Sequence, residues 1–167
     1  MEAVVQVKTT REVENIVRAC AEFKKPVVPR GAGTGLEGGC VAYFGGVVLD
    51  VSLLKTMSMD EMQRTATVGA GVLKNELNTF LEPYGFIFGP DPSSNPSVGG
   101  MASTGGSGLS TLKYGTSKEN IVSMKVVTSK GECIETRRNV RKSSTGYELN
   151  ALFLGAEGTL GVITELT

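Results

Sequence analysis

The apolar and polar positions of this chain fall into short runs separated by glycine-rich stretches, and each run has its own period. Residues 3–7 (AVVQV) alternate enough to predict a strand. Thr10 predicts an N-cap, and Val13, Ile16, Val17 and Cys20 then share one stripe of a helix. Glu12 and Glu14 suit the first turn of that helix, and Lys24 and Lys25 its last. Residues 26–29 (PVVP) predict a second strand, and Val47 to Val51 a buried third. The first fifty residues thus read as strand, helix, strand, loop, strand.

The pattern then changes. Residues 57–71 predict two short strands around a turn. Residues 72–85 place Leu73, Leu77 and Phe80/Leu81 at helical spacing, with Pro83 and Gly85 ending the helix. Residues 120–137 predict a hairpin: Val122, Met124 and Val126 alternate, Ser129-Lys130-Gly131 turns, and Cys133 to Thr136 returns. A short helix is predicted within 146–155 and a last strand at 161–167. Strands here succeed one another without a helix after each, which favours α+β over a doubly wound sheet. The chain stops inside a predicted strand. The expectation is a domain from something longer, or one lobe awaiting a partner.

Composition narrows the function. The 167 residues suffice for one domain or two small lobes, burying roughly 70% of the unfolded surface. Seventeen basic residues balance seventeen acidic ones, so no basic footprint points to nucleic acid or an anionic membrane. No apolar run approaches the ~20 residues of a membrane span. The N-terminus resembles neither a secretory signal nor a transit peptide, and any targeting segment is expected upstream. The three cysteines Cys20, Cys40 and Cys133 form no C-x-x-C pair, and there is no histidine. No metal site is expected, and the thiols fit an intracellular, reducing compartment, mitochondrial or cytoplasmic. Without histidine, neither a Ser-His-Asp nor a Cys-His triad can be built, and no flavin can be linked through histidine.

Twenty-two glycines, mostly clustered, carry the candidate chemistry. In "VPRGAGTGLEGG" (28–39), Gly33, Gly35 and Gly38 formally fit G-x-G-x-x-G. The "GGCVAYFGG" that follows opens no helix, and Asp50 and Asp60 are poorly placed as a ribose-binding acid, so a Rossmann loop is not supported. No Walker A loop occurs. Two readings stay open for this segment. It is a turn with positive-φ positions, or a nest of converging N–H groups for anionic oxygens, with Arg30 at its entrance and Thr34 adding a hydroxyl. A second cluster, Gly99 to Gly108, carries Ser97, Ser103, Thr104 and Ser107 and no charge. Two such walls suit an extended ligand, such as a pyrophosphate, held between lobes. A third segment, residues 153–165, brackets Glu157 with Gly155, Gly158 and Gly161 and reads most simply as a turn into the last strand.

Taken together, three segments resemble FAD-linked oxidases and dehydrogenases of the vanillyl-alcohol-oxidase superfamily. "PVVPRGAGTGLEGG" is similar to their first flavin-contacting loop, "GPDPSSNPSVGGMASTGGSG…YGTSKENI" to the second, and "KSSTGYELNALFLGAEGTLGVITE" to the closing segment. The nearest branch holds the D-lactate, glycolate and D-2-hydroxyglutarate dehydrogenases. The resemblance implies an α+β, bilobal FAD-binding domain of the p-cresol-methylhydroxylase (PCMH) type. Its small lobe, 1–54, holds a few parallel strands; its larger lobe, 55–167, holds a mostly antiparallel sheet with flanking helices. Non-covalent FAD lies between them. On the motif match, Arg30, Gly31, Ala32, Gly33, Thr34 and Gly35 cradle the pyrophosphate. Pro90, Asp91 and Pro92 sit near the flavin, although Asp91 also reads as a turn former between two prolines. Ser97, Gly100, Ser103, Thr104, Ser107 and Gly108 line the opposite wall, and Gly161, Val162 and Ile163 meet the adenine end.

One departure stands out: many relatives read A-T-N-A-S-G where this chain reads S-T-G-G-S-G, so Gly105 replaces a frequent Asn. The implied reaction is hydride transfer from the α-carbon of a 2-hydroxy acid to FAD. The base and the carboxylate-binding groups are expected on a C-terminal cap domain, so no catalytic residue is assigned here. The alternatives are the FAD domain of a sugar or lactone oxidase, and a degenerate domain serving as a cytoskeletal interaction module.

Overall fold

Strand β1 (Ala3–Gln6) leads into helix α1 (Thr10–Glu22) through a capping box in this computed structural model, which describes residues 1–138 and 140–167. The Thr9 hydroxyl accepts the Glu12 N–H at 3.2 Å, and the Glu12 carboxylate accepts the Thr9 N–H at 3.3 Å. The cap is therefore Thr9, one residue before the predicted Thr10, whose hydroxyl instead donates to Thr164 at 3.1 Å. The helix ends at Glu22, and Lys24 turns the chain with φ of 51°. Lys24 and Lys25 thus lie beyond the last turn they were expected to occupy, and Lys25 pairs with Glu2 at 2.8 Å.

Strands β2 (Val27–Arg30) and β3 (Val47–Asp50) complete a parallel sheet of order β1-β3-β2. Parallel pairing requires crossovers; α1 supplies one and the glycine loop 31–46 the other. The rest of the chain builds a five-stranded antiparallel sheet. Its strands are β4 (Met57–Asp60), β5 (Thr65–Gly69), β6 (Met124–Thr128), β7 (Cys133–Glu135) and β8 (Gly161–Leu166), in the order β4-β5-β8-β6-β7. Helix α2 (Lys74–Leu81) turns its buried Leu77 and Leu81 inward. Short helices α3 (Val98–Thr104), α4 (Thr111–Tyr114), α5 (Ser117–Asn120) and α6 (Leu149–Phe153) complete the chain. A small parallel sheet beside a larger antiparallel one with flanking helices is the α+β, PCMH-type arrangement expected.

The two sheets share one core. α1 packs against β6 and β8, and its Val13 and Val17 join Leu49, Val126 and Leu166 in a single buried cluster. Arg18 reinforces the junction by donating to the Gly131 carbonyl at 3.1 Å. This common core fixes the spacing of the two sheets, and with it the loops at their shared edge.

The second glycine cluster departs most from expectation, since it opens as helix α3 rather than as a loop. Gly99 and Gly100 have poor helix propensity, but tertiary contact overrides it. A Cβ on Gly99 would lie 2.6 Å from Ala70 Cβ, while Met101 and Ala102 bury in the core. Ser97 caps the helix by accepting the Gly100 N–H at 3.2 Å. Gly105 ends it in the left-handed region, φ 63°. Gly and Asn tolerate that conformation best, so Gly105 suits the position.

A buried polar network anchors α6. Asn150 is 5% exposed; its amide donates to the Val122 carbonyl at 2.6 Å, and its Oδ1 accepts the Thr136 hydroxyl. Asn150→Ala leaves the Thr136 hydroxyl with only the Met124 backbone, whose N–H it accepts at 2.9 Å, and takes the amide from the half-buried Val122 carbonyl. The expected loss is about 1–3 kcal/mol of stability, read from denaturant midpoints; a change below ~0.5 kcal/mol would contradict this role.

Candidate functional site

The loop after β2 and the helix α3 face each other across a cleft of about 450 Å³. The loop wall runs from Gly31 to Cys40; the other wall combines α3 with Pro92, Ser94 and Pro96. Val51, Ala70, Val162 and Ile163 supply apolar lining, and Glu157, Gly158 and Gly161 complete the cleft. The walls approach closely. A Cβ placed on Gly31 would stand 2.2 Å from the Ser97 Oγ, so any side chain there would invade the opposite wall.

The walls differ in what they offer a ligand. Among the described residues, no N–H from Gly31 to Gly39 donates a hydrogen bond within the chain. Nine successive amides are thus free, in a loop with left-handed Gly33 (φ 70°) and Gly38 (φ 75°). On the other wall the amides of the first turn of α3 are already satisfied. Val98 N–H donates to the Val72 carbonyl, Gly99 N–H to that of Ala70, and Gly100 N–H to the Ser97 Oγ. The Thr104 hydroxyl donates to the Gly100 carbonyl at 3.1 Å. The Ser103 hydroxyl has no partner among the described residues and is left for a ligand.

Among the described residues no lysine or arginine lines the cleft; its charged side chains are the carboxylates Glu37 and Glu157. Arg30 lies just behind the loop, its guanidinium 2.9 Å from where a Gly33 Cβ would stand. The cleft therefore suits an anion held by unpaired amides, with one cation in support. Backbone that no side chain obstructs and donors that nothing satisfies together fit the diphosphate of a dinucleotide.

The expected site residues divide in two. Gly31, Ala32, Gly33, Thr34, Gly35, Pro92, Ser97, Gly100, Ser103, Thr104, Gly161, Val162 and Ile163 line this one cleft. Arg30, Pro90, Asp91, Ser107 and Gly108 do not. Pro90 is buried. The Asp91 carboxylate accepts both the N–H and the hydroxyl of Ser110 at 2.7 Å. Those bonds, the backbone one foremost, hold its pKa below the usual carboxylate range. Gly108 lies against Asp91, since a Cβ there would be 2.3 Å from the Asp91 carbonyl carbon. Asp91 thus clamps the loop that follows α3.

Reasoning from the sequence missed Glu157 and Gly158, read there only as part of a turn. The Gly155 N–H donates to the Ala102 carbonyl at 3.0 Å and the Glu157 N–H to that of Ser103 at 2.8 Å. This turn satisfies the C-terminal carbonyls of α3 and joins the cleft wall. The regular glycine spacing around Glu157 was the available signal.

Comparison with known proteins agrees with this geometry. Residues 1–137 match a family described as an FAD binding domain. The chain is 43% identical over 169 residues to "D-lactate dehydrogenase [cytochrome], mitochondrial" of Arabidopsis thaliana, covering 99% of this chain and 30% of that protein. It is 39% identical over 170 residues to "Glycolate oxidase subunit GlcD" of Bacillus subtilis (strain 168), covering 98% of this chain and 36% of that protein. The solved structure of an alkyldihydroxyacetonephosphate synthase superposes with a TM-score of 0.86 at 29% identity, covering 98% of this chain and 32% of that one. The chain thus spans about a third of the length of the relatives it matches.

Two outcomes follow from the site. Gly31→Ala narrows the cleft and is expected to weaken FAD binding at least about tenfold in a fluorescence titration. Ser97→Gly in the same chain restores much of the loss, because glycine caps a helix nearly as well as serine. Unchanged affinity in Gly31→Ala would contradict the facing walls. For Asp91, the folded pKa lies below the unfolded one, so its contribution is full above the ordinary carboxylate range. It is lost as pH falls through the lowered value. Wild type is expected to exceed Asp91→Asn in stability at about pH 6, and the gap to narrow steadily as pH falls below the ordinary carboxylate range. A gap independent of pH would show that the carboxylate charge is immaterial.

Proposed function

Because the chain belongs to the FAD binding domain family, as a domain of FAD-linked oxidoreductases, we propose that it holds FAD for a D-2-hydroxy-acid dehydrogenase of the D-lactate type. The relatives named for D-lactate and glycolate support that substrate class. The observation that carries the reading is the run of unpaired amides from Gly31 to Gly39 facing Ser97 and Ser103 across a cleft free of obstructing side chains.

Each part of the chain has its own task. The amides of Gly31 to Gly35 hold the diphosphate, with Arg30 lending charge from behind the loop. Ser103 donates from the facing wall. Val162 and Ile163 offer apolar surface to the adenine, with Gly161 leaving room for it. Pro92, Ser94 and Pro96 border the flavin end, and the Asp91–Ser110 clamp keeps that border in place. When bound, FAD accepts a hydride from the α-carbon of the 2-hydroxy acid while a base takes the hydroxyl proton.

We assign no residue of this chain as that base. The chain has no histidine, and among the described residues no three His, Cys, Asp or Glu side chains group to hold a metal ion. We propose that the base and the substrate's carboxylate partners lie on a cap portion of the whole protein. The free thiols Cys20, Cys40 and Cys133 suit a reducing compartment, mitochondrial or cytoplasmic. No helix among the described residues is long and apolar enough to cross a membrane.

The test is a titration of the apo chain with FAD alongside an assay with D-lactate and an artificial electron acceptor. We expect 1:1 saturable binding, with flavin released on denaturation, and no oxidation of D-lactate by these 167 residues alone. Absence of FAD binding by the folded chain would favour an interaction module. Turnover would overturn the placement of the base elsewhere.

A further inference from the structure

The cleft wall of Pro92, Ser94, Pro96 and Ser97 is held from behind by a side chain that does not line the cleft. Residues 90–97 belong to no helix or strand, so their shape is imposed from outside. Helix α2 imposes it. The Phe88 N–H donates to the Asn78 Oδ1 at 2.8 Å, and the Asn75 N–H to the Asn95 Oδ1 at 3.0 Å. The Lys74 N–H donates to the Pro96 carbonyl at 2.9 Å. The Lys74 ammonium then reaches along the segment and donates to the Pro92 carbonyl at 2.9 Å and the Ser94 carbonyl at 3.1 Å. One residue thus gathers three alternate carbonyls on one edge of the wall.

Peptide geometry carries that grip to the cleft. In a planar trans peptide the carbonyl and the next N–H point in opposite directions, and none of the described peptide bonds is cis. Drawing the carbonyls of Pro92, Ser94 and Pro96 towards Lys74 therefore turns the N–H groups of Ser93, Asn95 and Ser97 the other way. None of these three donates a hydrogen bond within the chain among the described residues. Ser97 is only 2% exposed and lines the cleft, so its N–H is left to be met from there. A charged donor bonds a carbonyl about twice as strongly as a neutral one, and Lys74 is half-buried, which limits competition from water. We propose that Lys74 is a positioning residue for the flavin half of the cofactor: by fixing this wall it sets how much more tightly the chain holds FAD than ADP. The proposal rests on the FAD reading, with the flavin beside Pro92 and Pro96, and adds to it a residue outside the cleft.

The test titrates FAD and ADP by calorimetry into the wild-type chain, Lys74→Met and Lys74→Arg. Methionine keeps the length and the helix propensity but donates nothing, and arginine keeps the charge and the donors. Lys74→Met is expected to bind FAD about tenfold or more weakly, as loss of charged hydrogen bonds allows, with ADP within about twofold of wild type. The long-wavelength absorption band of its bound flavin is expected to lose fine structure, as the ring meets a looser and wetter wall. Lys74→Arg is expected to recover most of the FAD affinity and of the fine structure. A denaturant melt checks the fold of each variant. Should Lys74→Met not fold, Lys74→Gln, which keeps a neutral donor, takes its place with the same expectations. Equal weakening of FAD and ADP makes Lys74 a general brace of the fold and overturns the proposal, as does unchanged FAD affinity without the lysine. Wild-type binding of FAD in those cases shows that the cofactor reading stands; failure of wild type to bind FAD overturns both.

Discussion

Two pieces of backbone meet in this protein with almost no side chain between them, and one of them keeps its amides unpaired. Gly31 approaches Ser97 so closely that a methyl group would collide with the serine oxygen. Unpaired N–H groups cost little where water reaches them, and become donors once a ligand displaces that water. The cleft is therefore built to offer main-chain donors to an anion, among the described residues with no lysine or arginine in its lining.

Holding two such walls at a fixed distance is the task of the shared core. α1 leaves the parallel sheet and buries Val13 and Val17 against the antiparallel one, so the sheets cannot slide independently. β8 lies at the centre of the larger sheet, and its first residues Gly161 to Ile163 also line the cleft. The most central strand thus carries the floor of the site. The turn before β8 ties back to α3 through Gly155 and Glu157, which closes a ring of contacts around the ligand space.

Much of this was legible in the chain itself. Among the described residues the sequence patterns located β1 to β8, α1 and α2, most clearly where an element buries one face, as α1 does with Val13, Val17 and Cys20. The three glycine-rich segments converge on one cleft, and the loop after β2 was readable because glycines there follow a strand and precede no helix. Other features were not legible. Gly99 and Gly100 concealed α3, since their fit against Ala70 is a tertiary contact that propensity does not encode. Asp91 and Gly108 lie outside the cleft because they bind each other's loop, a pairing set by distant chain segments. Glu157 looked like a turn residue because its strained φ and its place in the cleft emerge only when α3 and β8 are assembled.

The central claim is that the free amides of one loop hold the cofactor, and amide hydrogen exchange of the chain with and without FAD tests it most directly. Residues 31–39 are expected to exchange rapidly in the apo chain and to become strongly protected with FAD, more than any other loop. Saturation with FAD that leaves those amides exchanging freely, with protection elsewhere, would contradict it.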